Sequence, residues 1–461
     1  METKRSSFTG KLGFVLAAAG SAVGLGTIWR FPYLAAKYGG GIFLLVYIIL
    51  AVTFGFSLMA AEIAIGRKTG QSAVGAFNKL DKRFTFVGWL AALVPMIILP
   101  YYSVIGGWVL KYLIGFAAGG ASEMAAETVG ASGKVISYFD TYIASNVEPV
   151  VWFLIFVGIT AVIVMLGVEK GIEKVSKVMM PLLVVLIFGI AIYTIAVMDG
   201  AWDGVIYYIK PDFSKFSIMT VVAAMGQLFY SMSLAMGIMI TFGSYMKKDI
   251  SIEKSVHQIE IFDSAVAFLA GLMIIPAVFA FSHGDEEKLN KGAGLMFETL
   301  PKVFDSMTGG NIIGAAFFVM VFFAALTSSI SLMETVVSVL QDKFRMKRIP
   351  ACLTVLGISI VLGLISCFGY SVLGSFKLLG LPMLDFFDFI SNSIIMPIVS
   401  LLTALCVGYV IKPQSVMDEL EIGGEFKAKR LFTVMIKFVA PVFIVAILVS
   451  SVLDVFGIVS I

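Results

Sequence analysis

Gly20-Ser-Ala-Val-Gly-Leu-Gly26 decides how this chain is read. It interrupts a segment, 11–36, that is otherwise long and apolar enough to cross a bilayer. A glycine inside a helix costs roughly 1 kcal/mol relative to alanine, so three so close together predict a break rather than a rod. Trp29, Arg30 and Pro32 follow directly. Irregular backbone at membrane depth is tolerated only where protein buries it or a hydrated cavity adjoins it. Carbonyls freed by such a break suit a cation, and freed N–H groups suit a carboxylate. The stretch therefore predicts a transport-type site within the bilayer.

The rest of the chain fits that setting. Its 461 residues are 59% hydrophobic and 14% charged, with mean hydropathy +0.99. Soluble domains carry about 25% charged residues, so this is a polytopic membrane protein for which the lipid bilayer is the solvent. A net charge of +3 makes no case for nucleic acid. His257 and His283 are isolated, and no His/Cys/carboxylate cluster has metal-ligand spacing. Cys352, Cys367 and Cys406 lie in or beside apolar segments and read as small buried hydrophobes rather than a disulfide framework. Residues 1–7 are charged and no small-residue cleavage pattern follows, so no cleavable leader is expected.

Apolar stretches of spanning length occur at about 11–36, 41–66, 84–117, 150–168, 175–198, 216–245, 257–282, 311–340, 350–369, 386–410 and 431–457. The expected fold class is thus an all-α membrane protein of about eleven transmembrane helices. Basic residues crowd alternate connections, among them Arg67, Lys68, Lys247, Lys248, Arg345 and Arg348, while the opposite set holds Glu123, Glu127 and Asp140. That asymmetry places the N-terminus in the cytoplasm and, with an odd number of spans, the C-terminus outside. The sixth span carries a second polar, glycine-ended stretch, Ser231-Met-Ser-Leu-Ala-Met-Gly237. Five spans separate the two interruptions, which fits an inverted repeat of five helices each with the first and sixth discontinuous. Repeat one is about 11–198, repeat two about 216–410, and an extra helix about 431–457. Glycines also serve plain helix packing, so the pattern alone does not exclude that simpler origin.

Several side chains have chemistry beyond packing. Thr327 and Ser328 are adjacent hydroxyls in an apolar helix; they suit either back-bonding to carbonyls or a desolvated sodium ion held by neutral oxygens. Asp263 lies inside the seventh span, where an ionised carboxylate costs at least about 2.5–3.5 kcal/mol and demands a partner. Glu62, in the second span, suits the N–H groups of an unwound helix. Arg30 with Asp388, and Arg5 with Asp342, read as charge pairs able to close either side of a central cavity, or as interfacial charges that snorkel. Tyr102, Tyr230, Met236, Ile98 and Leu332 are candidate walls. Gly171 and Pro181 bracket the start of the fifth span and suggest a hinge or local unwinding there.

Gly20-x-Ala-Val-Gly-Leu-Gly-x-x-Trp-Arg-Phe-Pro32, Gly39-Gly-Gly41, Gln227, Ser231-x-Ser233 and Ala324-x-Leu-Thr-Ser-Ser329 occur in that order. With them, nearly the whole chain resembles the neurotransmitter:sodium symporter family, and within it the bacterial amino-acid transporters. The resemblance implies two sodium sites and one amino-acid site. Sodium site two would use carbonyls of Gly20, Val23 and Ala324 with the hydroxyls of Thr327 and Ser328. Site one would use the Ala22 carbonyl, Thr27, Ser231, Asp263 and the substrate carboxylate; Thr27 stands where the family usually has asparagine. The substrate carboxylate would meet N–H groups of Gly24, Leu25 and Gly26 and the Tyr102 hydroxyl. Its ammonium would meet carbonyls of the first and sixth spans and the Ser233 hydroxyl, and Ala22, Tyr230 and Ser231 are further expected substrate-binding residues. Its side chain would face Ile98, Tyr230, Met236 and Leu332.

Further implications concern ions and gating. Asp263 supplies a fixed negative charge where animal relatives need chloride, and Ala267 lacks the serine hydroxyl of those relatives, so chloride independence is expected. Gates would be Arg30 with Asp388 outside and Arg5 with Asp342, near Tyr245, inside. Gly171 to Pro181 matches an element that unwinds in close bacterial relatives. The expected activity is uptake of a hydrophobic or aromatic L-amino acid with sodium, by alternating access, in the cytoplasmic membrane. No obligate protein partner is evident. An amino-acid sensor of the same fold and a proton-coupled carrier are the alternatives; an ion channel or a membrane enzyme lacks the filter or the nucleophile it would need.

Overall fold

Helices that lie in lipid keep their backbone hydrogen bonds internal, and the chain follows that rule except at two places. The computed structural model describes residues 7–129, 135–282 and 294–455. Among these, the helices long and apolar enough to cross a membrane are Gly41–Thr69, Lys82–Ala117, Glu148–Met165, Val168–Val197, Ile252–Phe281, Gly310–Phe344, Arg348–Phe368, Met383–Val410 and Lys429–Leu453. Lys11–Ala22 and Gly26–Lys37 form one further span, bent by 58° at its break. Ile218–Ser231 and Ile238–Ser244 form another, parted at 232–237. Counted along the described residues, the parted spans are the first and the sixth of eleven. The fold is all-α; a short antiparallel pair, Glu127–Val129 with Val135–Ser137, lies in the connection after the third span.

The two breaks sit at the centre of the bundle. Every residue from Gly13 to Ala22 is buried, as expected of a helix with protein on all sides. By contrast Phe438, Val442, Val445 and Val449 of the eleventh span are exposed apolar side chains facing outward. In the first span Val23 leaves the helical region (φ −75°, ψ 89°), and Thr27 and Ile28 both turn their N–H groups to the Gly24 carbonyl. In the sixth, Ser233 (φ 52°) and Ala235 (φ 61°) take the left-handed conformation, at a cost of about 1–3 kcal/mol each. Specific bonds hold that strain. The Ala235 N–H donates to Glu62 Oε1 at 2.7 Å, and the Ser233 hydroxyl donates to the Ser21 carbonyl at 2.9 Å. Gln227 Nε2 donates to the Gly26 carbonyl at 2.9 Å, so each break is pinned by the other.

The fifth span departs from expectation. It runs as a helix from Val168 to Val197, with Gly171 inside a wide π-type first turn at Val168–Glu173 and Pro181 in its interior. No unwound segment separates Gly171 from Pro181. The first turn is widened around Gly171, where the Gly171 and Ile172 N–H groups both bond the Gly167 carbonyl.

Candidate functional site

Where the breaks face each other they enclose a cavity of about 30 Å³. Ala22, Gly24, Gly26, Ile98, Tyr102, Tyr230, Ser231, Ser233, Met236 and Leu332 all line it, together with Ser21, Thr27, Ile238 and Ser328. Leu25, also expected at the site, is not among the lining residues; its N–H donates to the Tyr102 hydroxyl at 3.1 Å. No lining residue is charged. Small-molecule pockets usually measure about 300–1,000 Å³, so the walls here are drawn in. Two glycines set how closely. A Cβ at position 26 would stand 2.1 Å from the Tyr230 ring, and one at 24 would stand 2.8 Å from Ser328 Oγ and 3.0 Å from the Tyr102 hydroxyl. Tyr230 therefore packs directly on bare backbone at Gly26, and a side chain at position 24 would have to displace the Ser328 and Tyr102 hydroxyls.

Beside the cavity a buried carboxylate is ringed by hydroxyls. Asp263 is 1% exposed; its Oδ2 accepts from Ser231 Oγ at 2.7 Å and from the Tyr47 hydroxyl at 3.0 Å. Thr27 Oγ1 reaches Asp263 Oδ1 at 3.3 Å and the Ala22 carbonyl at 3.2 Å. Thr27, Ala22, Ser231 and Asp263, expected as one group, are thus adjacent. Tyr47 was not anticipated. Its ring sits in an apolar run and reads as packing; only the hydroxyl, 3.0 Å from Ser231 Oγ as well, marks it as part of the cluster.

A second oxygen-rich region lies below the first break. Ser328 Oγ approaches the Gly20 carbonyl at 3.4 Å and the Ser21 carbonyl at 3.1 Å. Thr327 Oγ1 donates to the Phe323 carbonyl at 2.9 Å and contacts the Ala324 carbonyl at 3.2 Å, while its Cβ lies 3.2 Å from where a side chain on Gly20 would begin. Gly20, Ala324, Thr327 and Ser328 are brought together, with Val23 at the adjoining turn. These are neutral hydroxyl and carbonyl oxygens, a donor set for a hard cation. Among the described residues no group of three or more His, Cys, Asp or Glu side chains is placed to hold a metal.

The expected charge pairs are arranged differently. Arg30 and Asp388 make no direct ion pair. Asp388 Oδ1 is taken by the Tyr101 hydroxyl at 2.9 Å and Asn392 Nδ2 at 2.6 Å, and the Arg30 guanidinium lies over the Tyr230 ring at 5.6 Å. Nearer donors have satisfied the acid and an aromatic face has taken the cation. Arg5 lies outside the described residues. Asp342 accepts the Ser72 N–H at 2.7 Å. Tyr245 donates to Glu334 Oε1 at 2.8 Å and lies 3.0 Å from Ser338 Oγ, and Glu334, fully buried, is paired with Arg348 at 2.5 Å. That last pair was not anticipated, because a lone acid and a lone base fourteen residues apart carry no spacing signal.

A family model for the sodium:neurotransmitter symporter family matches residues 5–119 and 136–458. The chain belongs to that family. An uncharacterized sodium-dependent transporter of Bacillus subtilis (strain 168), YhdH, is 33% identical over 453 residues, spanning 97% of this chain and 98% of its own. An uncharacterized sodium-dependent transporter of Methanocaldococcus jannaschii is 31% identical over 461 residues, 96% of this chain and 90% of its own. Among solved structures, MhsT in complex with L-phenylalanine superposes with a TM-score of 0.86 at 37% identity, covering 97% of this chain and all of that one. The symporter is therefore a multi-pass membrane protein that uses sodium, and it is a transporter rather than an enzyme.

Proposed function

We propose that this symporter couples the inward flow of sodium to uptake of a hydrophobic or aromatic L-amino acid by alternating access. The observation that carries the reading is the uncharged cavity between the two breaks, polar at Tyr102, Ser231 and Ser233 and apolar at Ile98, Met236, Ile238 and Leu332. Backbone N–H groups of the first break suit a carboxylate, and the apolar wall suits a side chain without charge. Met236 is an unbranched, deformable apolar group that adapts to bulk. The likeness to a transporter solved with L-phenylalanine supports the same class of substrate.

Sodium is assigned to two sites. Site one is built by the Ala22 carbonyl, Thr27, Ser231, Asp263 and the substrate carboxylate; site two by carbonyls of Gly20, Val23 and Ala324 with Thr327 and Ser328. With Asp263 supplying a fixed charge beside site one, transport is chloride-independent. Arg30, Tyr230 and Asp388 close the outer side, and Asp342 and Tyr245, with Arg5, the inner; Gly171 and Pro181 remain the hinge, with the π-type turn as the part that gives way. The repeats are about 11–198 and 216–410, in a cytoplasmic membrane, with the N-terminus inside and the C-terminus outside.

The test is uptake of a panel of labelled amino acids into proteoliposomes under an inward sodium gradient. Hydrophobic and aromatic members should accumulate and should exchange in counterflow. Saturable binding without counterflow would make the protein a sensor, and uptake driven by a proton gradient in sodium-free buffer would make it a proton-coupled carrier.

A further inference from the structure

Glu173 belongs to none of the groups above. It stands in the first turn of the fifth span, is 1% exposed, and turns its carboxylate toward the start of the first span. Oε2 accepts the Thr9 N–H at 2.9 Å; Oε1 accepts the Thr9 hydroxyl and, at 2.6 Å, the Lys177 ammonium. The carboxylate rests directly on Gly13, where a Cβ would stand 2.1 Å from Oε1. The first helix begins at Lys11 after Gly10, and no side chain of its own caps it. Its unpaired N–H end carries partial positive charge, which an acid from the neighbouring span offsets. The same short segment is held on its other side: Lys247 Nζ donates to the Thr9 carbonyl at 2.8 Å, and the Phe8 N–H donates to the Tyr245 carbonyl at 3.3 Å. Further along the fifth span, Met180 Sδ lies 3.1 Å from where a side chain on Gly20 would begin. Glu173, Ser176 and Met180 thus share the helical face turned to the first span.

We propose that Glu173 is a positioning residue of the transport cycle, a latch that holds Lys11–Ala22 against the fifth span and must release before the inner path from Gly20 opens. The idea rests on the transport reading above. A buried carboxylate stripped of its donors is costly until water replaces them, so latch release and hydration of this helix–helix contact occur together. That makes the contact two-state rather than gradual. Glu173 also lies in the π-type turn, so any unwinding there withdraws the carboxylate from Thr9.

The experiment is thiol accessibility from the inner face. A reporter, Ser176→Cys, is placed in a background with Cys352, Cys367 and Cys406 replaced by alanine, and labelled with a membrane-impermeant reagent in inside-out vesicles. Glu173→Gln should raise the labelling rate about tenfold, the shift expected when one charge-assisted hydrogen bond is lost, and Glu173→Asp should restore a low rate. Thr9→Val, which spares the acid, should move the rate the same way by a smaller factor, and serves if Glu173→Gln does not fold. Unchanged labelling in both Glu173→Gln and Thr9→Val overturns the latch, as does an equal rise in Glu173→Asp. Binding of labelled L-phenylalanine with and without sodium is measured on the same samples. Its failure in the parent would refute the substrate reading while the labelling still decides the latch.

Discussion

Gly26→Ala is the sharpest test of how the cavity is built. The added Cβ would sit 2.1 Å from Tyr230 Cδ1 and 2.3 Å from Cε1. Carbon atoms rest about 3.5–4.0 Å apart, so the ring must move by more than about 1 Å or the first break must shift. The ring is pinned beneath the Arg30 guanidinium and forms a wall of the cavity, so neither move is free. Overpacking of this kind costs about 1–3 kcal/mol, which, if borne by the bound state, predicts a rise of about 5- to 150-fold in the dissociation constant for a hydrophobic amino acid. Scintillation proximity binding of labelled L-phenylalanine in sodium measures it directly. Gly158→Ala, at a helical glycine with open space around it, is the control and should bind like the parent. The decisive arm is Tyr230→Ala: in that background Gly26→Ala should cost little, because the clashing ring is gone. Equal loss of affinity with and without the Tyr230 ring would refute the reasoning.

Replacing chloride by gluconate should leave sodium-driven uptake unchanged, since the Asp263 carboxylate is already held by Tyr47, Ser231 and Thr27; a large loss of uptake would contradict it. Glu62→Ala removes the acceptor for the Ala235 N–H in strained backbone and should lower stability by about 1–3 kcal/mol, read as a drop in melting temperature in detergent. Arg348→Ala strands the fully buried Glu334 and should cost about 3–5 kcal/mol, whereas the double replacement Glu334→Leu with Arg348→Leu should recover most of it.

The architecture was legible because membrane spans follow hydropathy closely and because the break in the first span is written in glycine. The second break was legible only by analogy of position: Ser233 and Ala235 are ordinary residues, and their left-handed backbone is imposed by Glu62 and Ser21 from other spans. Thr327 and Ser328 stood out as adjacent hydroxyls in an apolar helix, and they do meet the first break. Tyr47 did not stand out, because an aromatic ring in a span reads as packing until its hydroxyl finds an acid. The Arg30–Asp388 contact failed for a related reason: opposite charge says nothing about competitors, and Tyr101 and Asn392 reach the acid first. The fifth span is helical through Pro181, and its irregularity appears as a π-type turn at Gly171, which a glycine in the sequence only hints at.

One measurement tests the central claim most directly: equilibrium binding of a labelled hydrophobic amino acid to the purified symporter while sodium is exchanged for choline at constant ionic strength. Saturable binding that rises steeply with sodium is predicted, displaced by other hydrophobic L-amino acids and not by amines that lack the carboxylate. Equal binding in choline, or displacement by such an amine as readily as by the amino acid, would contradict a site in which two parted helices hold the ion and the carboxylate side by side.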